Sequence, residues 1–253
     1  MKRLHETSPI WHAIVWIAVY VVLAGVGDWL SALAGVPNLV TTLLFVALSV
    51  GLFPYVKRNG WTGYYGLRRL RGTDFKGTLL YLPLLLIALM QYAKGLRNDL
   101  DVTTVVLIIA LMACVGFLEE LLFRGFLFRG ILKRGTLVRA VLVSGVTFGI
   151  GHAVNLARGF TAVEQVIQIG FGIVLGIVLA LLFAVTGTIW PLIIFHFLLN
   201  ISGNLTPTDS GAEAVMLGAT TIICIGYGVY LMGALRRQRA GGLNALQQEP
   251  AIR

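Results

Sequence analysis

Long apolar runs separated by short polar segments dominate the chain. Runs of about 20 apolar residues are long enough for a helix to cross the hydrocarbon core of a bilayer. Strands of a membrane β-barrel would instead show short alternating segments. The pattern therefore predicts an all-α, polytopic membrane protein with about eight transmembrane helices, forming a single integral membrane domain over residues 1–253. The predicted spans are approximately 10–34, 37–56, 77–93, 102–131, 138–156, 163–185, 188–203 and 212–235.

Composition agrees with this class of protein. Hydrophobic residues make up 57% of the chain and charged residues only 12%, about half the charged fraction of a soluble domain. The two cysteines, Cys114 and Cys224, lie in apolar runs and exclude a disulfide framework. The first apolar run is too long for the hydrophobic part of a signal peptide, so we expect it to be retained as the first span.

The distribution of basic residues predicts an orientation. The net charge is +9, but the basic residues lie in short clusters at the ends of the predicted spans, so we expect no nucleic-acid partner. With eight spans, sixteen Lys and Arg residues fall on the side of the termini and three on the other. The positive-inside rule then places both termini in the cytoplasm, and we expect the cell membrane. The sixteen are Lys2, Arg3, Lys57, Arg58, Arg68, Arg69, Arg71, Lys76, Arg129, Lys133, Arg134, Arg139, Arg236, Arg237, Arg239 and Arg253; the three are Lys94, Arg97 and Arg158.

Three of the predicted spans carry polar groups that are costly inside a bilayer. The fourth span contains Glu119, Glu120 and Arg124; the fifth contains Phe148 and His152; the seventh contains His196 and Asn200. Residues four apart share a helix face, so Glu120 is placed to pair with Arg124. Glu119 is rotated by about 100° and is expected to face other helices.

The polar groups of the three spans are predicted to lie at a similar depth in the membrane. At about 1.5 Å per residue, Glu119, His152 and Asn200 each lie about 20 Å from the predicted cytoplasmic end of their helix. Each group alone has a structural reading, as a buried ion pair or as an interhelical hydrogen bond. Together at one depth, they indicate a shared functional site.

The chemistry of this set suits hydrolysis. A glutamate beside a histidine can act as a general base toward water. Histidine and asparagine can donate hydrogen bonds to a developing oxyanion. Glutamate and histidine are also zinc ligands, so zinc is a candidate cofactor with Glu119, His152 and His196 as its ligands if a metal is used. The chain has no His-Glu-x-x-His motif, which leaves metal dependence open.

The motifs Glu119-Glu120-x-x-x-Arg124, Phe148-x-x-x-His152 and His196-x-x-x-Asn200, in this order, resemble those of the CPBP (Abi) family. This is the CAAX prenyl protease and bacteriocin-processing family of intramembrane proteases. The resemblance covers about residues 102–204, which we take as the catalytic core.

The resemblance implies roles for these residues. Glu119 and His152 would activate the attacking water, and His196 and Asn200 would stabilise the oxyanion, unless His196 joins a metal site. The remaining motif residues would support them: Glu120, Arg124 and Phe148.

The sequence and the resemblance thus indicate an intramembrane endopeptidase. It would be either a metalloprotease or a metal-free glutamate protease. We expect its partners to be membrane lipid and a hydrophobic or lipidated peptide substrate, such as a prenylated CAAX protein. Two alternatives stay open. One is a non-enzymatic member of the same family, such as a bacteriocin-immunity or scaffold protein. The other, favoured less, is a proton-coupled transporter, because membrane Glu and His chains also form proton relays.

Several further residues have structural interpretations. Gly172 and Gly176 predict close helix packing in the sixth span. Pro191, five residues before His196, is expected to bend the seventh span. Trp61, Tyr64 and Tyr65, among the basic residues of the 57–76 loop, are expected to anchor that loop at the membrane interface.

Overall fold

The computed structural model of the protein describes residues 1–68, 80–159 and 161–240. All regular structure in these ranges is helical, which confirms the all-α prediction. The α-helices are α1 (Lys2–Thr7), α2 (Pro9–Leu33), α3 (Leu39–Arg58), α4 (Leu82–Met90), α5 (Val102–Glu120), α6 (Arg129–Leu132), α7 (Leu137–Gly151), α8 (Ala162–Thr186), α9 (Trp190–Leu205) and α10 (Ser210–Ala240). Short 3₁₀ helices follow α4 and α7, over Gln91–Lys94 and His152–Arg158, and a π-helix, Leu121–Phe128, joins α5 to α6.

The lengths of these helices confirm a polytopic membrane protein. In the described ranges, six helices are long and apolar enough to cross a bilayer, and two shorter apolar helices, Leu82–Lys94 and Trp190–Leu205, accompany them. The predicted count of eight spans and the predicted orientation stay predictions. The start of the predicted 77–93 span lies outside the described residues, as do Arg69, Arg71, Lys76 and Arg253.

Helix α2 carries a marker of membrane depth. Trp11 and Trp29 are both 63% exposed, and their 18-residue separation corresponds to about 27 Å along a helix. This is close to the thickness of the hydrocarbon core, and tryptophan is enriched at both membrane interfaces. Tyr20 lies midway between the two tryptophans, in the part of α2 that we expect within the apolar core of the bilayer.

The centre of the fold is one continuous helix, Val102–Leu132. The π-helix Leu121–Phe128, near its C-terminal end, is buried along its whole length and is contacted by α2 and α7. A π-helical segment widens the helix locally, and such segments are frequent at functional sites. Here the π-helix begins directly after Glu120.

Glycines let α7 and α8 approach closely, as predicted for Gly172 and Gly176. A Cβ on Gly176 would lie 2.7 Å from the Gly145 carbonyl oxygen, and one on Gly172 would lie 3.0 Å from the Gly149 Cα. Any larger residue at these positions would push the two backbones apart. The close approach brings the end of α7, where His152 follows, against α8.

Two predictions about local structure are wrong. Pro191 does not bend a helix, because α9 begins at Trp190 and the proline occupies its first turn, where no backbone donor is lost. Trp61 and Tyr65 do not anchor the chain at the interface, because they are 2% and 1% exposed. Helix α1 folds against them, with His5 Nδ1 2.7 Å from the Tyr65 hydroxyl, so these rings fill the interior instead.

Candidate active site

The candidate site contains a buried ion pair between Glu120 and Arg124. Both side chains are fully buried, and Arg124 Nη1 donates to Glu120 Oε1 at 2.8 Å, as their spacing predicted. Arg124 Nη2 donates to the Gly176 carbonyl at 3.2 Å, and the guanidinium lies 4.3 Å from the centroid of the Phe148 ring. Helices α7 and α8 thereby hold the arginine, and the arginine holds Glu120.

His196 bridges the two adjacent carboxylates from the facing helix α9. Its Nδ1 lies 3.0 Å from Glu120 Oε1 and its Nε2 lies 3.5 Å from Glu119 Oε2. An ionised carboxylate can only accept a hydrogen bond, so Nδ1 of His196 is the donor to Glu120. Glu119 faces other helices, as predicted. His196 contacts both glutamates and so connects Glu119 with Glu120.

Glu119 has two differently placed carboxylate oxygens. The Tyr20 hydroxyl, from α2, donates to Oε1 at 2.6 Å. The other oxygen, Oε2, is buried and accepts no hydrogen bond from the described residues. Sequence reasoning missed Tyr20, although a tyrosine hydroxyl in the middle of an apolar span needs a polar partner and was a usable signal.

His152 lies just after α7, at the start of the 3₁₀ helix. Its Nδ1 is 3.2 Å from the Phe148 carbonyl oxygen, to which it donates, and Gln165 Nε2 donates to the His152 carbonyl at 2.9 Å. The Phe148 ring packs edge-on against both imidazoles, with centroid distances of 5.3 Å to His152 and 5.7 Å to His196. Within the described part of the chain, His152 forms no ion pair with a carboxylate, and Phe148 contacts both histidines.

Asn200 lies one turn after His196 on α9 and is half-buried. Its side-chain amide makes no hydrogen bond with the described residues, while its backbone carbonyl accepts one from Asn204 Nδ2 at 2.8 Å. Because residues four apart share a helix face, the amide is on the same face as His196. The Asn200 amide is thus a hydrogen-bond donor beside His196 that no described residue engages.

The predicted zinc ligands are not gathered into one donor set. In residues 1–68, 80–159 and 161–240, no three His, Cys, Asp or Glu side chains are placed to hold a metal ion. His196 directs both ring nitrogens toward carboxylates, and the Nδ1 of His152 faces a backbone carbonyl. This arrangement does not fit zinc on Glu119, His152 and His196.

Fold and site together define a polytopic helical membrane protein whose ionisable groups meet inside its apolar helices. Residues 101–202 match the family model of the type II CAAX prenyl endopeptidase Rce1-like proteins. No curated protein and no solved structure matches the chain. The core of the chain is therefore similar to the Rce1-like family, which confirms the resemblance seen in its motifs. The matched segment contains Glu119, Glu120, Arg124, Phe148, His152, His196 and Asn200.

Proposed function

We propose that the protein is an intramembrane endopeptidase that hydrolyses a peptide bond in a membrane-associated substrate. The observation that carries this proposal is the network joining Glu119, His196, Glu120 and Arg124 within the matched segment. Charged groups at such depth are costly and usually functional. The family match favours prenylated CAAX proteins as the substrate class.

In this proposal Glu119 is the general base. Its Oε2 takes one proton from a water molecule while the water oxygen bonds to the scissile carbonyl carbon. His152 accepts a hydrogen bond from the same water through Nε2, because its Nδ1 is engaged by the Phe148 carbonyl. The tetrahedral intermediate then collapses, the C–N bond breaks, and Glu119 returns the proton to the leaving amine.

His196 and Asn200 stabilise the oxyanion of that intermediate. The Asn200 amide donates directly, and His196 donates through Nε2 when its ring is protonated, since Nδ1 already donates to Glu120. Removing one such donor typically costs about 3 kcal/mol of transition-state stabilisation. Glu120, Arg124 and Phe148 support the reaction by fixing the orientation of His196.

The test is a cleavage assay with purified protein in lipid vesicles. Three peptides are compared: a prenylated CAAX peptide, the same peptide without the lipid, and a generic hydrophobic peptide, each with and without a chelator. We expect cleavage of the prenylated peptide, detected as two products by mass spectrometry. The chelator arm decides whether a metal takes part.

The other outcomes separate the parts of the proposal. Cleavage of the hydrophobic peptide alone would keep the protease but replace the substrate class. No cleavage of any peptide by well-folded protein would contradict the proposal and favour the non-enzymatic immunity or scaffold alternative.

A further inference from the structure

We propose that Tyr20 is a positioning residue for Glu119, supplied by a helix outside the segment that matches the family. Tyr20 lies on α2, whereas the matched segment begins at residue 101. This inference rests on the proposed function, because it assigns Glu119 the part of general base.

The contact between the two side chains is short. The Tyr20 hydroxyl donates to Glu119 Oε1 at 2.6 Å, within the range of about 2.5–2.7 Å that is typical of an O–H donor on an ionised carboxylate. Such charge-assisted bonds are roughly twice as strong as neutral ones. The geometry therefore describes a tyrosine hydroxyl that is bound to a carboxylate.

The bond makes the two carboxylate oxygens of Glu119 different from each other. Oε1 is held by Tyr20, while Oε2 lies 3.5 Å from His196 Nε2 and accepts no hydrogen bond from the part of the chain that the structure describes. The terminal torsion of a glutamate is broad and poorly restricted on its own. Tyr20 therefore fixes the rotation that directs Oε2 toward His196.

Packing of the ring does not require the hydroxyl. The Tyr20 ring stacks on Phe45 of α3, with centroids 4.8 Å apart and planes inclined by 29°. A phenylalanine at position 20 would keep this stacking. The hydroxyl, midway between Trp11 and Trp29 along α2, lies at a depth where an unbound hydroxyl would be costly, and Glu119 is the group it reaches.

The matched experiment removes one hydroxyl at a time. Tyr20→Phe deletes the bond to Glu119, and the control Tyr55→Phe deletes a tyrosine hydroxyl that lies 3.0 Å from His12 Nε2. Both variants are purified in lipid vesicles, checked for an unchanged melting temperature, and assayed with the best-cleaved peptide. We expect kcat of Tyr20→Phe to fall about 10-fold to 100-fold with KM unchanged, since Tyr20 acts through Glu119. Tyr55→Phe should keep the wild-type kcat.

A second readout is independent of activity. Infrared difference spectra between wild type and Glu119→Gln identify the carboxylate stretch of Glu119. This band should shift in Tyr20→Phe and stay in place in Tyr55→Phe.

The outcomes are distinguishable from a failure of the proposed function. A wild-type kcat in Tyr20→Phe, an unmoved band, or an equal fall of kcat in both variants would overturn the positioning role. If Glu119→Gln itself cleaves at the wild-type rate, the proposed mechanism fails, while the infrared band still tests the Tyr20 contact.

Discussion

Replacing Arg124 by methionine removes the cation from an ion pair in which both side chains are fully buried. The variant loses the 2.8 Å bond to Glu120 and the 3.2 Å bond to the Gly176 carbonyl. Breaking a buried pair from one side costs about 3–5 kcal/mol, because an uncompensated charge is left behind. Glu120 keeps its contact with His196 at 3.0 Å, so we expect a loss at the lower end, about 3 kcal/mol.

A double variant tests whether this cost comes from the orphaned charge. Arg124→Met combined with Glu120→Gln removes both charges, and we expect it to be more stable than Arg124→Met alone. The quantity of interest is the coupling energy, which is the change in unfolding free energy of the double variant minus the sum of the changes in the two single variants. Substitutions of residues in contact are generally not additive.

The assay is reversible unfolding in mixed detergent micelles, followed by circular dichroism. Arg97→Met is the matched control, because it makes the same substitution in a solvent-exposed ion pair with Asp99 at 2.6 Å. Exposed pairs contribute little, so the control should unfold like the wild type. The reasoning is refuted if Arg124→Met also unfolds like the wild type, or if the two site substitutions are simply additive.

Two further predictions concern helix packing and pH. Gly149→Ala would place a Cβ 2.5 Å from the Ile173 backbone nitrogen, so it should destabilise the protein by about 1–3 kcal/mol in the same unfolding assay. Gly170→Ala, which meets nothing within 4 Å, should instead stabilise it by about 0.5–1 kcal/mol; equal effects of the two would contradict the packing argument. Burial, reinforced by the positive charge of Lys133, lowers the pKa of His5 to about 4. Below pH 6.5 the imidazole of His5 is protonated in the unfolded chain but stays neutral in the folded chain. The free energy of unfolding therefore falls by up to about 3 kcal/mol as the pH is lowered from 6.5 to 4. Melting temperatures of wild type and His5→Gln across this range check it, and parallel curves would disprove it.

The sequence predicted what local rules control. The apolar runs identified the helices because their length is set by the bilayer. The spacing of Glu120 and Arg124 predicted their pairing because the geometry of one helix turn is enough to bring them together.

Contacts between distant segments could not be predicted in the same way. Tyr20 and Glu119 are 99 positions apart, and their contact depends on which face of α2 packs against the central helix. Trp61 and Tyr65 are of residue types that are typical of the membrane interface, yet α1 packs over them and buries them. The position of Pro191 illustrates a further limit, since a proline within a bent helix and one at a helix start look alike until the helix boundary is known.

The relation between His152 and Glu119 also needed the structure. Similar depth on two helices predicted that they share a site, but depth does not fix the separation across the membrane plane. The ring of Phe148 lies beside His152 and His196, and the zinc site that the residue types suggested is not assembled in the described residues.

The most direct test of the account is the cleavage rate of Glu119→Gln, measured in lipid vesicles with the peptide that the wild type cleaves best. Glutamine keeps the size of the side chain and removes the base. Glu213→Gln is the control, because Glu213 is a partly exposed carboxylate paired with Lys94 at 3.4 Å. We predict a loss of about 100-fold or more in Glu119→Gln and a wild-type rate in Glu213→Gln. Cleavage by Glu119→Gln at the wild-type rate would contradict the account.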